Sequence, residues 1–232
     1  MKRIEDIAIV IQARLSSQRI PQKMIKPFAG TTLTDIAIQK VLSSKFIPKE
    51  NFYISVYENE LLTIAKKHGV NTYRRSEKSA RSEGTPMTDM YEWWNRLDFK
   101  YCVLVNACAP FLKPETLDGF VKAYMKTDSD GLFGVMEKKN YFWDEGENLI
   151  TPWPTDQACM NTKVVGTTYE AAHCLYAGRL DKIGKGIWMG DFNTPGDIEL
   201  YPMHEEEVMD IDYPWQFNMC EALYRVKNGI RN

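Results

Sequence analysis

Residues 7–30 read IAIVIQARLSSQRIPQKMIKPFAG, and the change of character inside this stretch decides the fold. Ile7 to Ile11 is an unbroken, largely β-branched apolar run, which predicts a strand. Ser16, Ser17 and Pro21, with the polar residues between them, predict a loop directly after it. Arg14, Arg19 and Lys23 fall within ten residues of one another in that loop. A loop so placed suits a polyphosphate, because backbone N–H groups together with Arg and Lys offset the charge that grows on an α-phosphate and a leaving pyrophosphate. The same composition also fits an ordinary basic surface loop, so the choice rests on the rest of the chain.

Outward from this stretch the pattern alternates. Thr32 to Ser43 opens with a Thr cap and sets Leu33, Ile36, Ala37 and Val41 at helical spacing. Asn51 to Val56 reads as a strand, Glu58 to His68 as a helix stopped by Gly69, and Val70 to Tyr73 as a short strand leading to Arg74. A helix over Thr88 to Leu97, a strand over Tyr101 to Asn106, a helix over Pro114 to Met125 and a strand over Gly131 to Met136 continue the series. After an irregular excursion over 137–170, rich in aromatics and prolines, Ala171 to Ala177 and Glu199 to Met203 read as strands, and Pro214 to Val226 as the closing helix. Such alternation predicts an α/β fold: a doubly wound, mostly parallel, Rossmann-like sheet in one domain over 1–232, with a small irregular arm. Ligand is expected outside the C-terminal strand ends, where Arg14, Arg74 and Ala107 fall.

Composition narrows the class. The 232 residues carry 29 basic and 31 acidic side chains, a net charge of −2, which offers no global field for nucleic acid or an anionic membrane. Small ligands are the better expectation. No apolar run reaches the roughly 18 residues of a transmembrane helix. An acidic pair interrupts the start, MKRIEDIAIVIQAR, where a signal peptide would stay apolar, so a soluble cytoplasmic protein is expected. Five cysteines, odd in number and without a C-x-x-C pair, argue against a disulfide framework or a zinc site. Cys108 lies in a post-strand loop with no histidine near it in sequence, and a packing role is the stronger reading. His173, in an apolar strand, reads as a satisfied core histidine.

Near the C-terminus, Asp210 and Asp212 form an Asp-x-Asp pair. If Val208 to Asp212 is extended, both carboxylates point to one face and can hold a hard cation such as Mg2+. Adjacent carboxylates repel unless a cation or hydrogen bonds stabilise them, which favours a ligand role over a solvated pair that caps the next helix.

Four segments then occur in a telling order. Ala13-Arg14-Leu15-Ser16-Ser17-Gln18-Arg19-Ile20-Pro21-Gln22-Lys23, followed by Gly30 and Leu33, resembles the first motif of the cytidylyltransferases that activate acidic sugars. That family includes the acylneuraminate and Kdo cytidylyltransferases and related spore-coat polysaccharide proteins. Arg74-Arg75-Ser76-Glu77 resembles its short arginine motif, and Leu104 to Leu112 stands where the family has an apolar strand ending in a Pro-Thr-Ser-Pro-Leu loop. Val208 to Phe217 resembles its C-terminal Asp-Ile-Asp-x-Pro segment. The four matches span nearly the whole chain.

The resemblance implies a CTP-dependent cytidylyltransferase that forms a CMP-activated acidic sugar, needs Mg2+ and assembles as a homodimer. It implies that Ala13, Arg14, Ser17, Arg19, Lys23, Arg75, Ser82 and Ala107 bind the nucleotide, with Arg75 facing the cytosine. Arg14, Lys23 and Asp212 carry the chemistry, and Asp210 and Asp212 hold the metal. An acceptor hydroxyl attacks the α-phosphate in line, with one acid of the pair helping to take its proton. Asn106, Lys138, Lys139 and Tyr141 are the candidates for the acceptor. Departures from the family pattern, among them Gln12 for a frequent Pro and Asn106 for the Gln of sialate enzymes, point to another nonulosonate or a different acidic acceptor. Two other classes share these features: a metal-dependent glycosyltransferase using a nucleotide sugar, whose acid pair normally ends a mid-chain strand, and a non-catalytic nucleotide-binding homologue.

Overall fold

The computed structural model describes residues 1–81, 84–153 and 161–230. Its strands are β1 (Ile7–Gln12), β2 (Phe52–Val56), β3 (Asn71–Arg74), β4 (Tyr101–Val105), β5 (Gly131–Lys138), β6 (Thr168–Arg179) and β7 (Ile198–Met203). They form one sheet in the order β3-β2-β1-β4-β6-β5-β7. Four neighbouring pairs run parallel and two, β4 with β6 and β5 with β6, run antiparallel. The expected mostly parallel α/β sheet is therefore present, with β6 as its reversed member.

Helices α1 (Leu33–Leu42), α2 (Asn59–His68), α3 (Met87–Met90), α4 (Pro114–Lys126), α5 (Leu180–Ile183) and α6 (Pro214–Lys227) connect and cover the strands. Local chemistry sets their ends. The Thr32 hydroxyl accepts the Asp35 N–H at 3.1 Å to start α1. Gly69, at φ 63, stops α2 in the left-handed conformation that glycine adopts without strain. Pro114 and Pro214 begin α4 and α6, where a missing N–H costs nothing.

β1 is buried on both faces, which explains its unbroken apolar run. Ile7, Ile9 and Ile11 join the larger core beneath α1, α2, α4 and α6, while Ala8 and Val10 meet Trp93, Cys102, Leu180 and Ile183 on the other face. Parallel alignment of β1 to β4 brings Gln12, Val56, Arg74 and Val105 to one edge of the sheet, and the loops after β1 and β4 lie side by side there. No described helix is long and apolar enough to cross a membrane.

Three differences from the sequence reading have physical causes. The helix expected over Thr88 to Leu97 is a single turn, α3, followed by a 3-10 turn over Glu92–Asn95. Neighbouring aromatics there are anchored in separate places: Tyr91 stacks on Trp188 at 4.5 Å, and the Trp93 indole N–H donates to Gln12 Oε1 at 2.7 Å. The excursion is shorter at both ends, because β5 extends to Lys138 and β6 begins at Thr168. β6 also carries a wide bulge: between Phe133↔Tyr176 and Val135↔Ala171, β5 advances two residues while β6 advances five. His173 sits in this bulge at φ 50 and is exposed, so it is not the core histidine expected from the apolar run around it.

Close backbone approach also constrains the sheet at Gly131. A Cβ there would fall 1.6 Å from the Met189 carbonyl oxygen. Gly131→Ala should therefore lower the unfolding free energy by about 3 kcal/mol or more, the upper range of overpacking costs, read as a reduced urea midpoint.

Candidate active site

The chain leaves the sheet after Gln12 in a loop whose shape is imposed from below. Leu15 N–H donates to Glu58 Oε1 at 2.8 Å, and Ala13 N–H to the Ser55 carbonyl at 3.1 Å. Arg75 is 3 % exposed and donates from Nη2 to the Ala13 carbonyl at 2.9 Å. Burial draws the Arg75 pKa down to about 10, with Glu58 opposing that effect, so the guanidinium remains charged at neutral pH. Among the described residues its Nε and the Glu58 Oε2, both buried atoms, have no hydrogen-bond partner. A buried arginine and a half-buried glutamate thus stand behind the loop.

Buried Ile20 and Met24 hold the loop's middle, and Gln22 takes φ 54 between them. The loop closes in a two-residue reversal at Ala29 (φ 50) and Gly30 (φ 83), bracketed by reciprocal bonds between Phe28 and Thr31 of 2.8 and 3.0 Å. Phe28 anchors this turn against the rings of Phe217 and Tyr224 in α6, at 5.3 and 5.5 Å.

Loop and sheet edge enclose a cleft of about 460 Å³, lined by the loop from Gln12 to Met24, by Asn106 to Cys108, and by Asp212. Depressions of about 530 and 970 Å³ elsewhere lack this meeting of cations with the Asp-x-Asp segment, and chemistry rather than size selects the site.

One buried lysine joins the walls. Lys23 donates to the Ile211 carbonyl, and its Nζ lies 3.6 Å from Asp212 Oδ1. The Ile211 N–H donates to the Cys108 carbonyl at 3.1 Å, so this peptide is gripped on both sides. Ile211 is 0 % exposed while Asp210 and Asp212 are partly exposed, giving the alternation expected of the pair although 208–212 is no sheet strand. Arg19 Nη2 lies 2.8 Å from the same Asp212 oxygen, with its guanidinium 5.0 Å from the Tyr213 ring centre. Burial raises the Asp210 pKa, and the adjacent Asp212 carboxylate raises it further, against the opposing influence of Lys23 and of Asn106 Nδ2 at 3.3 Å.

The structure thus brings Ala13, Arg14, Ser17, Arg19, Lys23, Asn106, Ala107 and Asp212 to one cleft, with Asp210 beside it. Arg14 turns its guanidinium to the Arg81 carbonyl. Arg75 lies beneath the loop, not among the cleft-lining side chains, and Ser82 falls outside the described residues. The structure does not bring Lys138, Lys139 or Tyr141 to the cleft. Lys138 pairs with Glu205 and lies 3.6 Å from Glu170, Lys139 is exposed, and Tyr141 is buried against Trp153 at 5.0 Å. Asn106 is a junction: it donates from Nδ2 to the His173 carbonyl at 2.6 Å and accepts the Cys108 N–H at 2.8 Å.

Sequence reasoning missed several participants. Gln12 lines the cleft with its amide set by the Trp93 indole and by the Met90 carbonyl at 3.2 Å. A polar residue closing an apolar strand was the available signal. Glu58 carried no signal, since its contact with Leu15 crosses 43 positions. Cys108 lines the cleft, but burial pushes its thiol up to about 11, only partly offset by Lys23, so it is no thiolate nucleophile at neutral pH.

Comparison with known proteins bears on this site. Residues 8–176 match the model of a family described as cytidylyltransferase. The chain is 25 % identical over 219 residues to N-acylneuraminate cytidylyltransferase A of Danio rerio, covering 90 % of this chain and 49 % of that protein. It is 28 % identical over 135 residues to spore coat polysaccharide biosynthesis protein SpsF of Bacillus subtilis, covering 55 % and 53 %. The chain spans about half the length of these curated relatives. Its fold is that of a solved CMP:2-keto-3-deoxy-manno-octonic acid synthetase complexed with CTP, with a TM-score of 0.71, 11 % identity, and 95 % and 99 % of the two chains covered. Because the family match runs from β1 through the cleft loop and β4 into β6, the chain belongs to the cytidylyltransferase family.

Proposed function

We propose that the protein transfers a cytidylyl group from CTP to an acidic, nonulosonate-like sugar, releasing pyrophosphate. The observation that carries this reading is the convergence of Lys23 and Arg19 on Asp212 across a cleft whose other wall is the loop after β1. Loop N–H groups with Arg14, Arg19 and Lys23 would take the triphosphate, exchanging their present protein oxygens for phosphate oxygens. Arg75 would act through Ala13, holding the loop in shape. The acceptor hydroxyl attacks the α-phosphorus, a new P–O bond forms as the bond to the β-phosphate oxygen breaks, and pyrophosphate departs. Lys23, partly desolvated and held by Ile211, meets the charge that develops. Asp210 or Asp212 takes the hydroxyl proton.

The residues present fit a hard cation. Among the described residues no cluster of three or more His, Cys, Asp or Glu side chains forms a complete cage, and the two carboxylates of the Asp-x-Asp segment supply the oxygen donors that suit a hard cation. Asp210 and Asp212 would hold the ion, which supplies charge neutralisation at the phosphates. On the acceptor side, Asn106 lines the cleft and is held there by the His173 backbone carbonyl. The arm exposes Trp143 at 54 % and Trp153 at 42 %, which supports a homodimer.

Equilibrium binding of CTP, UTP, ATP and GTP, with and without Mg2+, tests the reading before any acceptor is chosen. Selective, Mg2+-strengthened CTP binding is expected, and equal affinity for all four would overturn it. Asp212→Ala should abolish the strengthening by Mg2+ while freeing Arg19 and Lys23. Lys23→Met, close in volume, should reduce turnover by roughly 10²–10³-fold, as removal of one preorganised donor does; near-normal pyrophosphate release would sink the assignment. Light scattering should return twice the chain mass, and a monomer mass would remove the dimer.

A further inference from the structure

Lys40 is a buried cation that the chemistry above does not use. It lies in the second half of α1, 6 % exposed, and donates from Nζ to the Ala109 carbonyl at 2.5 Å. No carboxylate pairs with it among the described residues. Burial draws its pKa down to about 8, against the opposing influence of the Glu207 carboxylate. An unpaired ammonium in a core is costly to keep, and its location shows what it does. Ala109 belongs to the turn after β4, whose preceding residues Asn106 to Cys108 line the cleft.

From that carbonyl a series of contacts leads to the reacting region. The turn holds itself through Cys108 N–H to Asn106 Oδ1 at 2.8 Å, and to β6 through Asn106 N–H to the Cys174 carbonyl at 2.9 Å. Next along the chain, the Cys108 carbonyl takes the Ile211 N–H at 3.1 Å, and the Ile211 carbonyl takes Lys23. Two buried ammoniums therefore brace two hydrogen-bonded segments from opposite sides: Lys40 grips the turn, and Lys23 grips the segment that carries Asp210 and Asp212. If the turn shifts, Ile211 shifts with it, and the carboxylates move relative to Lys23.

We propose that Lys40 is a positioning residue, which through Ala109 and Cys108 fixes where Asp210 and Asp212 stand opposite the loop after β1. It touches neither phosphate nor acceptor. Its functional meaning rests on the cleft being the nucleotide site, whereas the mechanical claim about the turn does not.

Hydrogen exchange read by mass spectrometry on the whole chain separates the two. In Lys40→Met, exchange over 106–112 and 208–213 should accelerate roughly tenfold through local opening, while the amides of α1 keep their protection. Mg·CTP binding should weaken by roughly tenfold, as expected for misplaced groups. Lys40→Arg should restore both, since a depression of about 530 Å³ that Lys40 lines leaves room for the longer donor. Unchanged exchange in the two segments overturns the proposal, and so does loosening of α1 along with them, which would mark a merely structural lysine. Should Lys40→Met not fold, Lys40→Gln against wild type gives the same reading. A wild type that binds no CTP would remove the proposed function and leave the exchange comparison to decide Lys40.

Discussion

The ammonium of Lys23 is buried where the first loop meets the C-terminal segment, bonded to a carbonyl 188 positions away in sequence. A buried cation is tolerated only with close oxygen partners, and the Ile211 carbonyl and Asp212 carboxylate provide them. That requirement draws two distant pieces of chain together and defines the cleft between them. Ile211 has its side chain in the core, so the same contact leaves the two acids beside it on the open side.

The loop around Lys23 is shaped as much from underneath as from within. Arg75 and Glu58 bond to Ala13 and Leu15 from the layer below, and each retains one buried polar atom without a partner among the described residues. The arginine motif near β3 therefore holds the loop's backbone through Ala13. Above the loop, Arg19 lies on the Tyr213 ring and against Asp212. These surface contacts are solvent-screened and contribute little to stability.

Around β6, geometry departs most from a simple parallel sheet. Because β6 runs against β4 and bulges at His173, its backbone presents a carbonyl to Asn106. Asn106 uses both amide hydrogens and one carbonyl lone pair inside the protein. A residue expected to meet the acceptor directly thus also fixes the turn after β4, while Lys138 and Tyr141 are engaged in the arm and its neighbours.

Local chemistry in the chain determined most of the elements: the run from Ile7 to Ile11, the Thr32 cap, Gly69 and the two helix-starting prolines act within a few residues and are legible there. So was the cluster of Arg14, Arg19 and Lys23, together with the acid pair, since these are residue types at short spacing. Only tertiary structure decided the reversed direction of β6, the bulge that exposes His173, the broken helix around Trp93, and the burial of Arg75 below the loop instead of in the wall of the cleft. The reason is range. Period and capping act over a few residues, whereas contacts such as Glu58 to Leu15 or Lys23 to Ile211 cross tens to hundreds of positions and depend on which surfaces meet once the sheet has closed.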